Sequence, residues 1–346
     1  MSERQESLTM AGQRKHGKQP FHVVSLGDTV VDLVFEIERL PILAETVQVA
    51  QGPTLEPGGA GNFLIAGARL GLVMHCHGAM GDDVYGHAAA EILAQEGVDV
   101  SGVVHAPGST STLVLVLVDQ AGQHAFLGRY GTGGKVPFSD LWRMQIQAAD
   151  AFFLNAYTLF ETQICEAIPM ALQTAREARV PIFMDIGPDM SPVPMETRRN
   201  VCAQCTVVLG TEKEVRVTTG LEEVEAGVNV LFAWGVPVVV VKRGAQGCRV
   251  YTRDELIELP AFPVTLRDST AAGDTFDVAF IYGYLHGYSL RDSALFANAV
   301  AGAKVQKVGS GRQVPTAQEV VDLLRRYRVD LPFPPAEKGE SDAHTP

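Results

Sequence analysis

Five short runs of apolar, largely β-branched or aromatic residues recur along the chain with helical patterns between them: Val23-Val24-Ser25-Leu26, Ala151-Phe152-Phe153-Leu154, Ile182-Phe183-Met184, Val207-Val208-Leu209 and Val238-Val239-Val240-Val241. A strand that is apolar on both faces has to be covered on both faces. Runs of this kind, joined by amphipathic helices, require an α/β fold with a mainly parallel sheet between two helical layers. Two stretches break the rhythm. Residues 28–50 and about 103–130 read as strand pairs, the second through Leu113-Val114-Leu115-Val116-Leu117-Val118, a turn at Gly122 and a return from His124 to Leu127. Strands outside a βαβ rhythm suit a small separate sheet that covers a site. The polar, aperiodic ends, residues 1–20 and 331–346, are expected to be disordered tails on one domain at 21–330.

Composition narrows the function classes. The 346 residues are 46% hydrophobic, yet no apolar run is long enough for a membrane-spanning helix, so a soluble protein is expected. A net charge of -12 argues against nucleic-acid partners and anionic membranes. A small phosphate-bearing anion needs only local backbone N–H groups and is not excluded. Five scattered cysteines, an odd count, and no signal-peptide pattern point to a reducing cytoplasm. Cys202-x-x-Cys205 lacks a second ligand pair for zinc and reads as packing, while His75-Cys76-His77 reads as strand.

Chemistry concentrates in Asp268-Ser269-Thr270-Ala271-Ala272-Gly273-Asp274. It runs straight into a helical pattern with Phe276, Ala279, Phe280 and Gly283 on one face. The first N–H groups of a helix lack intrahelical partners and sit at the positive end of its dipole. Small residues at 271–273 would let an anion approach them, and Asp274 in the first turn could accept a proton from an attacking hydroxyl. A plain helix cap is the alternative. A second motif, Pro57-Gly58-Gly59-Ala60-Gly61-Asn62, combines close backbone approach with an amide that both donates and accepts, which suits a polyol; a tight turn is its alternative. Neither a G-x-G-x-x-G turn after the first strand nor a G-x-x-x-x-G-K-[ST] loop occurs.

Together these motifs resemble the two signatures of the PfkB/ribokinase family of carbohydrate kinases, over about residues 21–328. Between them, Gly78-Ala79-Met80-Gly81-Asp82-Asp83-Val84-Tyr85-Gly86 is similar to the family's G-x-x-G-x-D-x-x-G, Gly97-Val98-Asp99-Val100 to its usual continuation, and Lys242-Arg243-Gly244-Ala245-Gln246-Gly247 to its strand-end loop at the nucleotide. The resemblance implies a three-layer α/β/α sandwich with a small β-sheet lid, and ATP-dependent transfer to a hydroxyl of a small sugar, sugar acid or polyol. It implies Asp274 as base, the helix N-terminus at Ala271–Asp274 as anion hole through the backbone N–H groups of Ala272 and Gly273, and Asp32, Gly59 and Asn62 as acceptor contacts. It further implies nucleotide contacts at Thr211, Lys242, Gly244, Gly247 and Asn298, magnesium near Glu214, and a K⁺ site at Asp268 and Thr270 with a carbonyl near Gly309. A homodimer through the lid is also implied.

The departures are specific. Thr211 replaces the Asn of the family's N-x-x-E, and Ala271 replaces its commoner Gly. The gap from Gly59 to Asn62 is one residue short of ribokinase proper, and Leu154-Asn155-Ala156-Tyr157 offers no later sugar-binding Glu, which points away from ribose. Two other readings stay open. The acceptor could be a nucleoside whose base stacks on Tyr157, Phe160 or a lid aromatic, or the chain could be a sugar-binding regulator that lost catalysis, for which Thr211 is the best support.

Overall fold

The computed structural model describes residues 20–27, 29–121, 123–132, 136–159, 166–187 and 190–333. Gly122, Phe160 and Cys165 lie outside the described residues, as do most of both tails. A nine-stranded sheet runs in the order β13-β12-β11-β10-β9-β8-β1-β4-β5. Its strands are β1 (His22–Leu26), β4 (Val73–Gly81), β5 (Val103–Ala106), β8 (Ala151–Asn155), β9 (Ile182–Asp185), β10 (Val207–Thr211), β11 (Val238–Lys242), β12 (Cys248–Tyr251) and β13 (Leu256–Leu259). Strands β5 to β11 in that order are parallel, and β12 and β13 close one edge as an antiparallel pair.

All five apolar runs are strands of this sheet, and the alternation of strand side chains explains why they contain almost no polar residue. Val23, Val207, Leu209, Val238 and Val240 enter one buried cluster with Phe63, Phe276, Phe280 and Phe296. Their neighbours Val24, Val208, Val239 and Val241 enter a second cluster with Trp142, Ala171, Val201 and Val228. Successive residues point to opposite faces, so each run serves two helical layers at once. The three-layer α/β/α reading holds.

A separate four-stranded sheet, in the order β3-β2-β6-β7, consists of β2 (Val31–Glu36), β3 (Gln51–Pro57), β6 (Leu113–Val118) and β7 (His124–Arg129). Its composition differs in detail from the stretches expected for it. Val103–Ala106 joins the large sheet, because the preceding helix Val84–Gln95 carries it back parallel to Gly78–Gly81 of β4. Residues 38–50 form no strand; β2 finds its antiparallel partner in β3 instead, with Asp32 opposite Glu56. No helix among the described residues is long and apolar enough to cross a membrane.

Strand order reverses between β1 and β8: from β1 the chain steps outward through β4 and β5, then returns to β8 on the other side and continues through β9, β10 and β11. In open α/β sheets such a reversal opens a crevice at the carboxyl ends of the strands. Gly27, Asn155, Asp185, Thr211 and Lys242 all stand at or just past those ends.

Candidate active site

The helix Ala272–Leu285 starts from Ala271, whose left-handed backbone (φ 62°, ψ 6°) turns the chain sharply into the first turn. The Ala272 N–H is spent on the carbonyl of Ser269 (3.2 Å). The N–H groups of Gly273 and Asp274 keep no partner among the described residues, so two amides, not three, are free donors at this helix N-terminus. A β-branched residue cannot adopt that backbone cheaply. Ala271→Val is expected to cost about 1–2 kcal/mol and to displace both amides. Urea denaturation together with kcat would check this, and wild-type values for both would show the left-handed turn to be dispensable.

Asp274 is tied to the Gly-rich motif at 57–62 from a distance of more than two hundred residues in sequence. The Asn62 amide, on the helix Ala60–Arg69, donates to Asp274 Oδ2 (2.9 Å), and its oxygen accepts the Gly311 N–H (2.7 Å). Beside it Asp32, on β2, accepts the Ser310 hydroxyl (2.5 Å). Gly58 passes directly over the Asp32 carboxylate, where any side chain would collide with it. Asp32 and Glu56 face each other across β2 and β3, a repulsive placement of like charges. Arg312 offsets it by gripping Glu56 through Nε and Nη2 (2.9–3.2 Å) and by its backbone N–H.

Both central carboxyls are pushed up to about 6. For Asp274 the cause is burial first, then the Asp185 carboxylate, against the Asn62 hydrogen bond. For Asp32 it is burial, opposed by Ser310 and reinforced by Asp274 and Glu56.

Below Asp274, Lys242 and Glu214 of the sequence motifs meet two acids that the motifs did not include, Asp185 and Asp277. Lys242, at the end of β11, donates to both oxygens of Asp277 (3.0 Å each) and lies 3.4 Å from Asp185 Oδ2. Burial alone would lower its pKa, but the carboxylates of Asp185, Asp277 and Glu214 outweigh that and hold it up. Lys242, expected at the nucleotide, is thus turned inward as the counter-ion of buried acids. Thr211 and Glu214 form a capping box on the helix Glu212–Thr219. The Thr211 hydroxyl accepts the Glu214 N–H and Glu214 Oε2 accepts the Thr211 N–H (2.6 Å). Burial, then Asp185, raises the Glu214 pKa.

The remaining expected residues divide. Gly244 is open to solvent at the strand end, whereas a side chain on Gly247 would strike the Leu259 carbonyl, so Gly247 serves packing. Asn298 is buried and donates to Cys248 Sγ (3.4 Å) and the Pro260 carbonyl (3.3 Å), holding β12 to its helix. Gly59 caps the Asn62 helix from a left-handed φ of 54°. Tyr157 is half-exposed at the crevice, its pKa raised by burial and by the Asp274, Asp185 and Glu214 carboxylates.

Comparison with known proteins decides the family. The sequence pattern of the pfkB family carbohydrate kinases matches residues 21–317. The chain belongs to this family. Fructokinase-1 of Zea mays is 30% identical over 323 residues, covering 88% of this chain and 98% of that protein. The nucleoside kinase of Methanothermobacter thermautotrophicus is 24% identical over 300 residues, covering 86% and 94%. Arabidopsis thaliana ribokinase, solved in complex with ribose and ATP, superposes with a TM-score of 0.75 at 27% identity, covering 89% of this chain and 99% of that one. The protein is accordingly an ATP-dependent kinase with a ribokinase-like fold.

Two cations implied for such a kinase can be tested against its residues. Asp185 and Glu214 are neighbouring hard-oxygen donors at the strand ends, and they fit Mg²⁺ delivered with a nucleotide. At the K⁺ site expected at Asp268 and Thr270, the Thr270 hydroxyl is buried without a hydrogen-bond partner among the described residues, an oxygen donor left over for a cation. Asp268 gives one oxygen to the Thr270 N–H (2.8 Å) and the other to the Gly309 N–H (2.7 Å). In the adjoining turn the Lys304 ammonium bonds the Lys307 carbonyl (3.1 Å).

Sequence reasoning passed over Ser310, Gly311, Arg312, Glu56, Asp185, Asp277 and Lys304. Some signals were available. Asp277 is an acid inside the otherwise apolar face of its helix, and Asp185 ends one of the five apolar runs.

Proposed function

We propose that this kinase transfers the γ-phosphoryl group of ATP to a hydroxyl of a small sugar, sugar acid or polyol, with Asp274 as general base. The observation that carries this reading is the row Asp32, Asn62 and Asp274, three side chains from distant segments joined through the Ser310–Gly311 loop. Asp32 and the Gly59–Asn62 turn would hold acceptor hydroxyls. Asp274 Oδ1, turned away from Asn62, would take the proton as the acceptor oxygen bonds to the γ-phosphorus and the bond to the β-phosphate oxygen breaks, releasing ADP. The N–H groups of Gly273 and Asp274 would meet the charge on the transferring group; Ala271 and Ala272 shape that turn. Nucleotide would lie along Thr211 and Gly244 toward the Asn298 helix. Mg²⁺, held by Asp185 and Glu214, would neutralise phosphate charge. The likeness to fructokinase and ribokinase supports a sugar acceptor. ADP release across a panel of sugars, sugar acids and nucleosides tests the reading; folded protein that turns over none of them sinks it.

A nucleoside acceptor draws support from one observation, the half-exposed Tyr157 ring beside Asp274. Competition between hexoses and adenosine or inosine separates the two. The lid also exposes Val47, Val49, Phe126 and Leu127, which supports a homodimer closing over this apolar surface. A monomeric mass by light scattering at micromolar concentration would exclude it.

Asp32→Asn should raise the acceptor KM roughly 10- to 100-fold, the worth of a hydrogen bond to a charged group, and change kcat less. The pH profile of kcat/KM should fall as pH drops through about 6, where Asp274 and Asp32 take up protons. The two acids lie close enough that the apparent pKa values belong to the pair. A flat profile down to pH 5 contradicts a base of this kind.

A further inference from the structure

Asp277 follows Asp274 by three residues on the helix Ala272–Leu285, and its side chain is closed off from solvent. A carboxylate out of water needs a cation and hydrogen bonds. Lys242 supplies both, with Nζ 3.0 Å from each Asp277 oxygen, and this two-point grip fixes where the ammonium sits. An ammonium carries three protons and Asp277 engages two of them. The third enters no hydrogen bond among the described residues; Asp185 Oδ2, the other acid at Nζ, stands 3.4 Å away.

The ammonium lies against the start of the helix. A Cβ placed on Gly273 would stand 3.4 Å from Lys242 Nζ, so the charge touches the first turn beside the Gly273 N–H, one of the two free amides. The Lys242 side chain is 11% exposed and that of Asp277 not at all, so what opening the pair has is at the ammonium. A fixed positive charge with an unspent proton thus adjoins the place where a helix N-terminus receives an anion.

We propose that Lys242 is a further catalytic residue of the phosphoryl transfer and that Asp277 is the positioning residue that holds it. On the kinase reading of this site, on which the role of Lys242 rests, the third ammonium proton bonds a peripheral oxygen of the γ-phosphoryl group seated on the Gly273 and Asp274 N–H groups. As the acceptor oxygen bonds to phosphorus and the bond to the β-phosphate oxygen breaks, the ammonium faces the charge on the transferring group and keeps all three of its protons. The acceptor's proton goes to Asp274. Such a charge acts because it is in place before the reaction, in a site with little water. Asp277 keeps the ammonium from settling on Asp185 or Asp274, which would neutralise the carboxylates that serve Mg²⁺ and the proton.

The test uses Lys242→Met, the pair Lys242→Met with Asp277→Leu, and Asp277→Asn. The paired variant removes the orphaned acid together with its cation, which separates lost charge from lost fold. It should stay about 10²- to 10³-fold below wild type in kcat, with KM for the acceptor little changed, while its melting temperature recovers above that of Lys242→Met. Asp277→Asn keeps the shape of the site and releases the ammonium; it should lose about tenfold in kcat, again with KM for the acceptor kept, and it decides the matter if the paired variant does not fold. A second measurement needs neither nucleotide nor acceptor. Inorganic phosphate at constant ionic strength should raise the melting temperature of wild type by about 2 °C or more and leave that of the paired variant unmoved. A folded paired variant or Asp277→Asn with the kcat of wild type, or a phosphate effect that is missing in wild type or undiminished in the paired variant, overturns the proposal. If wild type turns over no acceptor, the kinase reading fails and the phosphate measurement alone decides whether Lys242 is an anion ligand.

Discussion

Asp274→Asn is expected to lower kcat by about 10²- to 10⁴-fold and at the same time to make the protein more stable at neutral pH. The first effect follows from removing the proton acceptor while keeping its size and its contact with Asn62. The second follows from linkage. The folded-state pKa of Asp274 is raised from its ordinary value to about 6, so the folded chain binds this proton more tightly than the unfolded chain does. Stability therefore falls as pH rises between about 4 and 6 and stays reduced above 6. The neutral amide escapes that loss. At pH 7.5 the variant should gain about 1–2 kcal/mol, discounted for the partial exposure of the group, and the gain should vanish toward pH 4. Urea denaturation at the two pH values, alongside kcat, measures both. A near-normal kcat would falsify the base assignment, whatever the stability.

Lys242→Met carries the largest expected loss of stability. Lys242 is the cation among Asp277, Asp185 and Glu214, and Asp277 is fully buried. Taking away one partner of a buried pair leaves the other as an uncompensated charge, at about 3–5 kcal/mol. The effect should reach the chemistry, because Lys242 also holds the Asp274 pKa down against its acidic neighbours. In the variant the acid limb of kcat/KM should move above pH 6. Adding Asp277→Leu should restore part of the stability, since the unpaired charge goes with it. If Lys242→Met melts like wild type, the cluster contributes little and another cation must balance Asp277.

The same geometry gives Thr211 a local task. In place of an Asn it closes a capping box with Glu214, so its hydroxyl is engaged by the helix it starts. That removes much of the support for a regulator that lost catalysis, because the substitution has a structural reason independent of activity. It also ties Glu214 Oε2 to the Thr211 backbone N–H.

How far the site was legible depended on the range of the interactions involved. Asp274 and Asn62 stood out because each follows a run of small residues at a helix start, a pattern contained in a dozen positions. Ser310 and Arg312 carry no such pattern. A serine and an arginine in a glycine-rich turn read as surface loop until the chain brings them against Asp32 and Glu56. Lys242 was visible but assigned to the nucleotide, since the sequence placed it at a strand end and could not say which way its side chain turns.

The sequence by itself determined the layered α/β architecture, because strands apolar on both faces have no other way to leave water. It also determined the helix N-terminus at Ala271–Asp274, where small residues and an acid meet. Only the tertiary structure decided what surrounds that acid. The Asp32 and Ser310 side chains are separated by 278 residues, and the Asn62 and Asp274 side chains by 212. The raised pKa of Asp274, the inward Lys242 and the buried Lys304 all arise from charges brought together out of water, and burial is a property of the folded chain that no local pattern encodes.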